Sequence, residues 1–88
     1  MNFSNGPALI VVDCQESFRA RSYWDEASAE PFFGAIQRTI DAWADAALPI
    51  VQIFHEDLEG PFARSSGLVR TLAPLRVTPD ATFHKRRH

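Results

Sequence analysis

Four side chains in this sequence are of types that move protons or attack electrophiles: Asp13, Cys14, His55 and Lys85. Asp13 ends the apolar run Ala8-Leu9-Ile10-Val11-Val12. A carboxylate at the exit of a buried strand loses part of its hydration, which makes it a better general base. The same position also suits an aspartate that only caps a turn. Cys14 is the sole thiol in the chain. Adjacent residues at a strand end point to opposite sides, so Asp13 and Cys14 form a poor base–nucleophile pair, and Cys14 reads as a small packing residue. His55 ends the run Ile50-Val51-Gln52-Ile53-Phe54, where it either lines a pocket or makes a structural hydrogen bond. Lys85 follows a third, weaker strand signal and supplies a cation.

The elements that must position these groups are legible as patterns. The runs 8–12 and 50–54 are continuous, β-branched and apolar, as in parallel strands buried on both faces. Between them Ile36, Ile40, Trp43 and Ala47 recur at helical spacing, predicting a helix over about 28–47 that begins with Phe32 and Phe33 on its stripe. Ser28 is the expected N-cap, Pro31 falls in the first turn, and Pro49 stops the helix. Strand, helix and strand make a βαβ unit, with a right-handed crossover expected. A loop with a helical turn follows the first strand, and another loop spans 56–66. A short helix is predicted over 67–73, and a third strand over Thr78 to His84. Open parallel sheets bind ligands beyond the carboxyl ends of their strands, which is where Asp13, His55 and Lys85 fall.

Composition narrows the function. The 88 residues suffice for one small domain, and 45% are hydrophobic, an ordinary globular fraction. A net charge of -2 gives no overall pull toward nucleic acid or anionic membrane. The basic run His84-Lys85-Arg86-Arg87-His88 is therefore read as solvated charge, and no nucleic-acid partner is expected. Residues 1–7 lack the features of a signal peptide, and no apolar run is long enough to span a bilayer, so a cytoplasmic chain with no membrane partner is expected. No glycine-rich phosphate loop follows the first strand, which disfavours a nucleotide site. His55, Glu56 and Asp57 are consecutive and scatter their side chains, so no metal is expected. No cofactor is expected either. Trp24, Phe32 and Phe33 read as core or interface residues in preference to substrate contacts.

Ala8 to Phe18 resembles the opening of the isochorismatase-like hydrolases, an apolar strand followed by D-x-Q-x-x-F, with Asp13, Gln15 and Phe18 at that spacing. The strand ending at His55, the Gly60-Pro61-Phe62 loop, and Asp80 to Lys85 as D-x-x-x-x-K are also similar to the family. The resemblance spans nearly the whole chain. It implies an α/β fold, a Rossmann-like three-layer αβα domain with a parallel sheet, of which residues 1–88 form the N-terminal half with about three strands. It further implies an Asp-Lys-Cys group, with Asp13 as general base and Lys85 holding the charged pair, and Gln15, Phe18 and His55 near the substrate. The nucleophilic cysteine of the family lies well beyond its lysine, hence outside this sequence. The spacing does not match the metal-containing nicotinamidase branch. Isochorismatases themselves cleave a vinyl ether, and some relatives in that branch lack the cysteine.

One inconsistency comes from the residues alone. Two strands read as buried on both faces, yet one long amphipathic helix is available to cover them, and a doubly covered sheet needs helices on both sides. The family resemblance implies a small-molecule substrate as a partner, and the uncovered face adds the expectation of a complementary C-terminal segment or a partner subunit, with homo-oligomerisation expected. The competing reading is a noncatalytic or truncated α/β module that serves assembly.

Overall fold

The computed structural model describes residues 6–86. Residues 1–5, part of the segment read as lacking leader character, and Arg87-His88, at the end of the basic run, lie outside the described residues. The described chain is a small α/β unit. Strand β1 (Leu9–Val12) is followed by a 3-10 helix at Glu16–Ala20, helix α1 (Glu26–Asp45), strand β2 (Ile50–His55), two short 3-10 helices at Gly60–Phe62 and Arg64–Ser66, and strand β3 (Ala81–Lys85). The three strands form one parallel sheet in the order β1-β2-β3, so β1 and β3 are its edges. No helix among the described residues is long and apolar enough to cross a membrane.

One face of the sheet is covered. Val11 and Ile50 pack with Ile40 of α1, and Leu9, Ile36, Trp43 and Val77 close around them. Ile36, Ile40 and Trp43 of the predicted helical stripe meet this face, whereas Phe32 and Ala47, read on the same stripe, are exposed, and Ala47 lies beyond the helix end.

The other face corrects the reading of both strands as fully buried. The register aligns Ile10 with Val51 and Ala81, and Val12 with Ile53 and Phe83. Ile10, Val12 and Phe83 are 56%, 46% and 58% exposed. The chain from β2 back to β3 contributes 3-10 turns and extended backbone and no α-helix, so nothing among the described residues covers this layer.

The helix ends also differ from expectation. Asp25, not Ser28, is the N-cap: its carboxylate accepts from the Ala27 N–H at 3.2 Å and from the Ser28 hydroxyl at 2.7 Å. The helix therefore starts at Glu26, and Pro31 falls in the second turn, where its missing N–H removes one helical hydrogen bond. At the other end the helix stops at Asp45. The Ala47 N–H donates to the Ala44 carbonyl and the Leu48 N–H to the Trp43 carbonyl, both at 3.0 Å, the double closure of a Schellman turn.

The helix predicted over 67–73 is absent. Gly67 turns left-handed, and the N–H groups of Glu16 and Ser17 donate to the carbonyls of Arg70 and Leu68 while Leu72 donates to Cys14. The backbone of this segment bonds to the strand exit, and within the segment the Arg70 guanidinium donates to the Gly67 carbonyl at 2.8 Å. The third strand runs 81–85 and not 78–84, so Lys85 is its last residue.

The Schellman turn yields a stability prediction. Its left-handed residue is Ala47, at φ 56°, where glycine is the favoured residue. Ala47→Gly is expected to raise stability by roughly 0.5–1 kcal/mol in urea unfolding. A loss of stability would show that the left-handed alanine carries no strain.

Candidate functional site

The carboxyl ends of the three strands bring Asp13, His55 and Lys85 together. The organising side chain is Gln15, which is fully buried. Its Nε2 donates to the His55 carbonyl and its Oε1 accepts from the His55 N–H, each at 2.8 Å. Nε2 also donates to the Ser17 hydroxyl at 3.0 Å, and that hydroxyl donates to the Leu68 carbonyl at 3.1 Å. The amide therefore completes the ladder where β1 has already ended. With no exposed surface, Gln15 acts on the backbone around the site.

Asp13 lies between β1 and this clamp, at φ 60°. Its N–H donates to the Ile53 carbonyl at 2.9 Å, and its own carbonyl accepts from the Gln15 N–H at 2.9 Å. A left-handed conformation is uncommon for a residue other than glycine. Here it ends the strand's alternation, and the carboxylate meets Lys85. The Lys85 ammonium lies 3.0 Å from Oδ1 and 3.3 Å from Oδ2, joining the two edge strands across the end of β2. Both side chains are partly buried.

The position of Lys85 follows from Asp80. The Asp80 N–H donates to the Ile50 carbonyl and its carboxylate accepts from the Ile50 N–H, each at 2.8 Å. That pins the start of β3 to the start of β2. Five strand steps at about 3.3 Å each then carry the chain to the carboxyl edge. The D-x-x-x-x-K spacing equals one strand length.

His55 is buried. Its Nε2 is 3.0 Å from the Asp57 carboxylate, and its ring meets Phe62 edge-on at 5.6 Å. Phe62 in turn meets Phe18 edge-on at 4.8 Å. Phe18 thus ties the 3-10 helix after β1 to the Gly60–Phe62 turn, while another part of its surface lines a cavity. That cavity has a volume of about 300 Å³ and is bounded by Asp13, Cys14 and the first turns of α1. Among the described residues, no group of three His, Cys, Asp or Glu gathers as a metal ion would need.

Cys14 packs against the Val11–Ile40–Ile50 core. Burial pushes its thiol above the ordinary range, and the neighbouring Asp13 charge adds to that. Both effects hold the thiol protonated at neutral pH, which is the reverse of what a nucleophile needs.

Two groups escape a reading of the sequence. Arg19 donates to the Glu16 carboxylate at 2.8 Å and to the Ala73 carbonyl at 2.7 Å, and it also bonds Glu26. Buried Glu16 accepts from the Ala73 N–H at 2.7 Å. Glu16 and Arg19, three apart, form a visible helical ion-pair spacing, but Ala73 carries no signal. Buried Gln52 donates to the Thr71 hydroxyl at 2.8 Å. A lone glutamine inside an apolar strand is the only hint of that bond.

Comparison with protein-family models, with curated proteins and with solved structures finds no match.

Two predictions come from these contacts. Gln15→Leu keeps the approximate volume but strips the His55 N–H and carbonyl of their partners, and unmet buried groups are costly. A loss of about 2–3 kcal/mol in urea unfolding is expected. A change within about 0.5 kcal/mol, the size of an ordinary surface substitution, would refute the clamp. For Cys14, alkylation by iodoacetamide at pH 7 is expected to be slower than for a free thiol and to rise only as the pH passes above the ordinary thiol range. Reaction faster than a free cysteine at pH 7 would contradict this.

Proposed function

We propose that this chain is the N-terminal half of an isochorismatase-like cysteine hydrolase domain, a Rossmann-like three-layer αβα fold, acting on a small amide, carbamoyl or related substrate. The observation that carries the reading is the Asp13–Lys85 contact at 3.0 Å. Residues 72 positions apart meet at the carboxyl edge of a parallel sheet, where open α/β sheets bind ligands. The motif residues quoted for the family resemblance occupy this edge: Gln15 clamps it, Phe18 flanks it and His55 ends its central strand.

In this reading the nucleophile is a cysteine from polypeptide outside these residues, because Cys14 is held protonated and packed in the core. Asp13 takes the proton of that thiol, and Lys85 keeps the charged pair in place. The thiolate attacks the amide carbon, the carbonyl electrons move to an oxyanion held by backbone N–H groups, and the amine leaves with the proton from Asp13. Water then hydrolyses the acyl thioester and regenerates the thiol.

The second reading is a noncatalytic α/β module that serves assembly. The exposed face of Ile10, Val12 and Phe83 is the observation behind it, since an apolar layer of this kind demands cover. Both readings accommodate that face, so the carboxylate must decide between them.

The deciding experiment follows ammonia release from a panel of small amides and carbamoyl compounds, with the cysteine-bearing polypeptide present. Asp13→Asn retains size and most hydrogen-bonding shape but removes the base. Turnover is expected to fall about 10²–10⁴-fold, the usual contribution of a positioned base. Turnover that stays within a few-fold would reduce Asp13 to a turn residue and leave the assembly reading standing.

A further inference from the structure

Lys85 is the sole lysine in the chain and the last residue of an edge strand. The end of such a strand has a ladder on one side alone and frays at little cost. Its ammonium nevertheless lies 3.0 Å from Asp13, beyond the opposite edge strand. The side chain does not fix that geometry by itself. A lysine has a flexible stem and a compact charge, without the planar fork that orients an arginine.

Glu56, the first residue after β2, supplies a constraint at this end. Its N–H donates to the Lys85 carbonyl at 2.9 Å, where the β2–β3 ladder finishes. Its buried carboxylate is shared by two exposed arginines. One oxygen accepts from Arg64 Nε at 2.8 Å, and the other lies 3.7 Å from Nη2 of Arg86, the residue directly after Lys85. The Arg64 bond holds the Glu56 carboxyl below its ordinary range, against the upward push of desolvation. Glu56 therefore grips the chain just after Lys85 twice, by its carbonyl and by the next side chain.

Arg64 ties that grip to the loop after β2. The loop is itself closed: the Asp57 N–H donates to the Phe62 carbonyl at 2.9 Å, and the Ser66 hydroxyl to the Ala63 carbonyl at 2.7 Å. Phe62 in this loop meets both His55 and Phe18 edge-on. The end of β3 is thus bonded to a segment that is already packed.

We propose that Glu56 is a positioning residue for Lys85: its N–H and its pairing with Arg64 and Arg86 fix the end of β3 and so hold the Lys85 ammonium on Asp13. The inference rests on the hydrolase reading only for what the held ammonium serves. If Glu56 merely closed its own loop, its charge would leave Lys85 unaffected.

A single lysine gives a single side-chain ammonium signal, so the test is ¹⁵N relaxation of that group in the intact protein. The order parameter of the Lys85 Cε–Nζ axis is expected to exceed about 0.6, below which a group counts as flexible. Glu56→Gln keeps the size and one acceptor oxygen but removes the charge and turns an NH₂ toward one of the arginines. It is expected to lower the order parameter by roughly half, with backbone amides of β1 and α1 unchanged. Arg86→Ala, at an exposed position, is expected to give a smaller fall. An unchanged order parameter in folded Glu56→Gln would overturn the proposal. If that variant does not fold, unchanged order in both Arg64→Ala and Arg86→Ala would overturn it. Equal loosening of β1 and α1 would also do so, since Glu56 would then act on the whole fold. Lower Lys85 order in a protein whose amide turnover ignores Asp13→Asn would uphold the positioning and refute the hydrolase. Turnover that depends on Asp13, with Lys85 order unchanged by Glu56→Gln, would do the reverse.

Discussion

Gln15 gives both ends of its side-chain amide to the backbone of one residue, His55, 40 positions away. That reciprocal pair is the constraint on which the carboxyl edge depends. It extends the β1–β2 ladder past the last residue of β1, fixes where β2 ends, and leaves Asp13 between two anchored points. Its burial makes it unforgiving, because a buried amide that loses its partners costs more than the bond contributes in water. Ser17 and Leu68 continue the chain of bonds into the loop between β2 and β3, so the site and the crossover share one hydrogen-bonded frame.

The same frame explains what could be read from the sequence. The strands 9–12 and 50–55 and the helix between them are written in hydrophobic period, which is a local signal and survives folding. The errors lie where a distant partner decided the outcome. Leu68, Val69 and Leu72 have helix-like spacing, but the chain there bonds to Cys14, Glu16 and Ser17. Asp25 outcompeted Ser28 as a cap because its carboxylate reaches both the Ala27 N–H and the Ser28 hydroxyl. Strand β3 begins late because Asp80 fixes its register on Ile50.

The placing of Asp13 and Lys85 at one carboxyl edge was legible because both follow strands of a parallel sheet. The roles of Gln15 and Arg19 were not. A glutamine two residues after an aspartate reads as a pocket group, and only the fold shows that its amide faces backbone. Arg19 draws on partners from three pieces of chain, and no spacing rule joins Glu16, Glu26 and Ala73. Its bonds tie those three pieces of chain together, a consequence of packing and not of pattern.

The energetics of Asp13 argue that its geometry serves something other than stability. A partly exposed ion pair such as Asp13–Lys85 contributes roughly 0–1 kcal/mol to folding. Holding a non-glycine residue left-handed costs about 1–2 kcal/mol, less for aspartate than for bulkier residues. The two are comparable, so the pair does not pay for its own conformation by a clear margin. A turn that had only to connect β1 to the following 3-10 helix would be met more simply by glycine. Instead the chain retains a carboxylate at that φ, joins it to a lysine from the far edge of the sheet, and opens it onto an aromatic cavity. A strained carboxylate facing a pocket accords with the proposed role of Asp13 as the base.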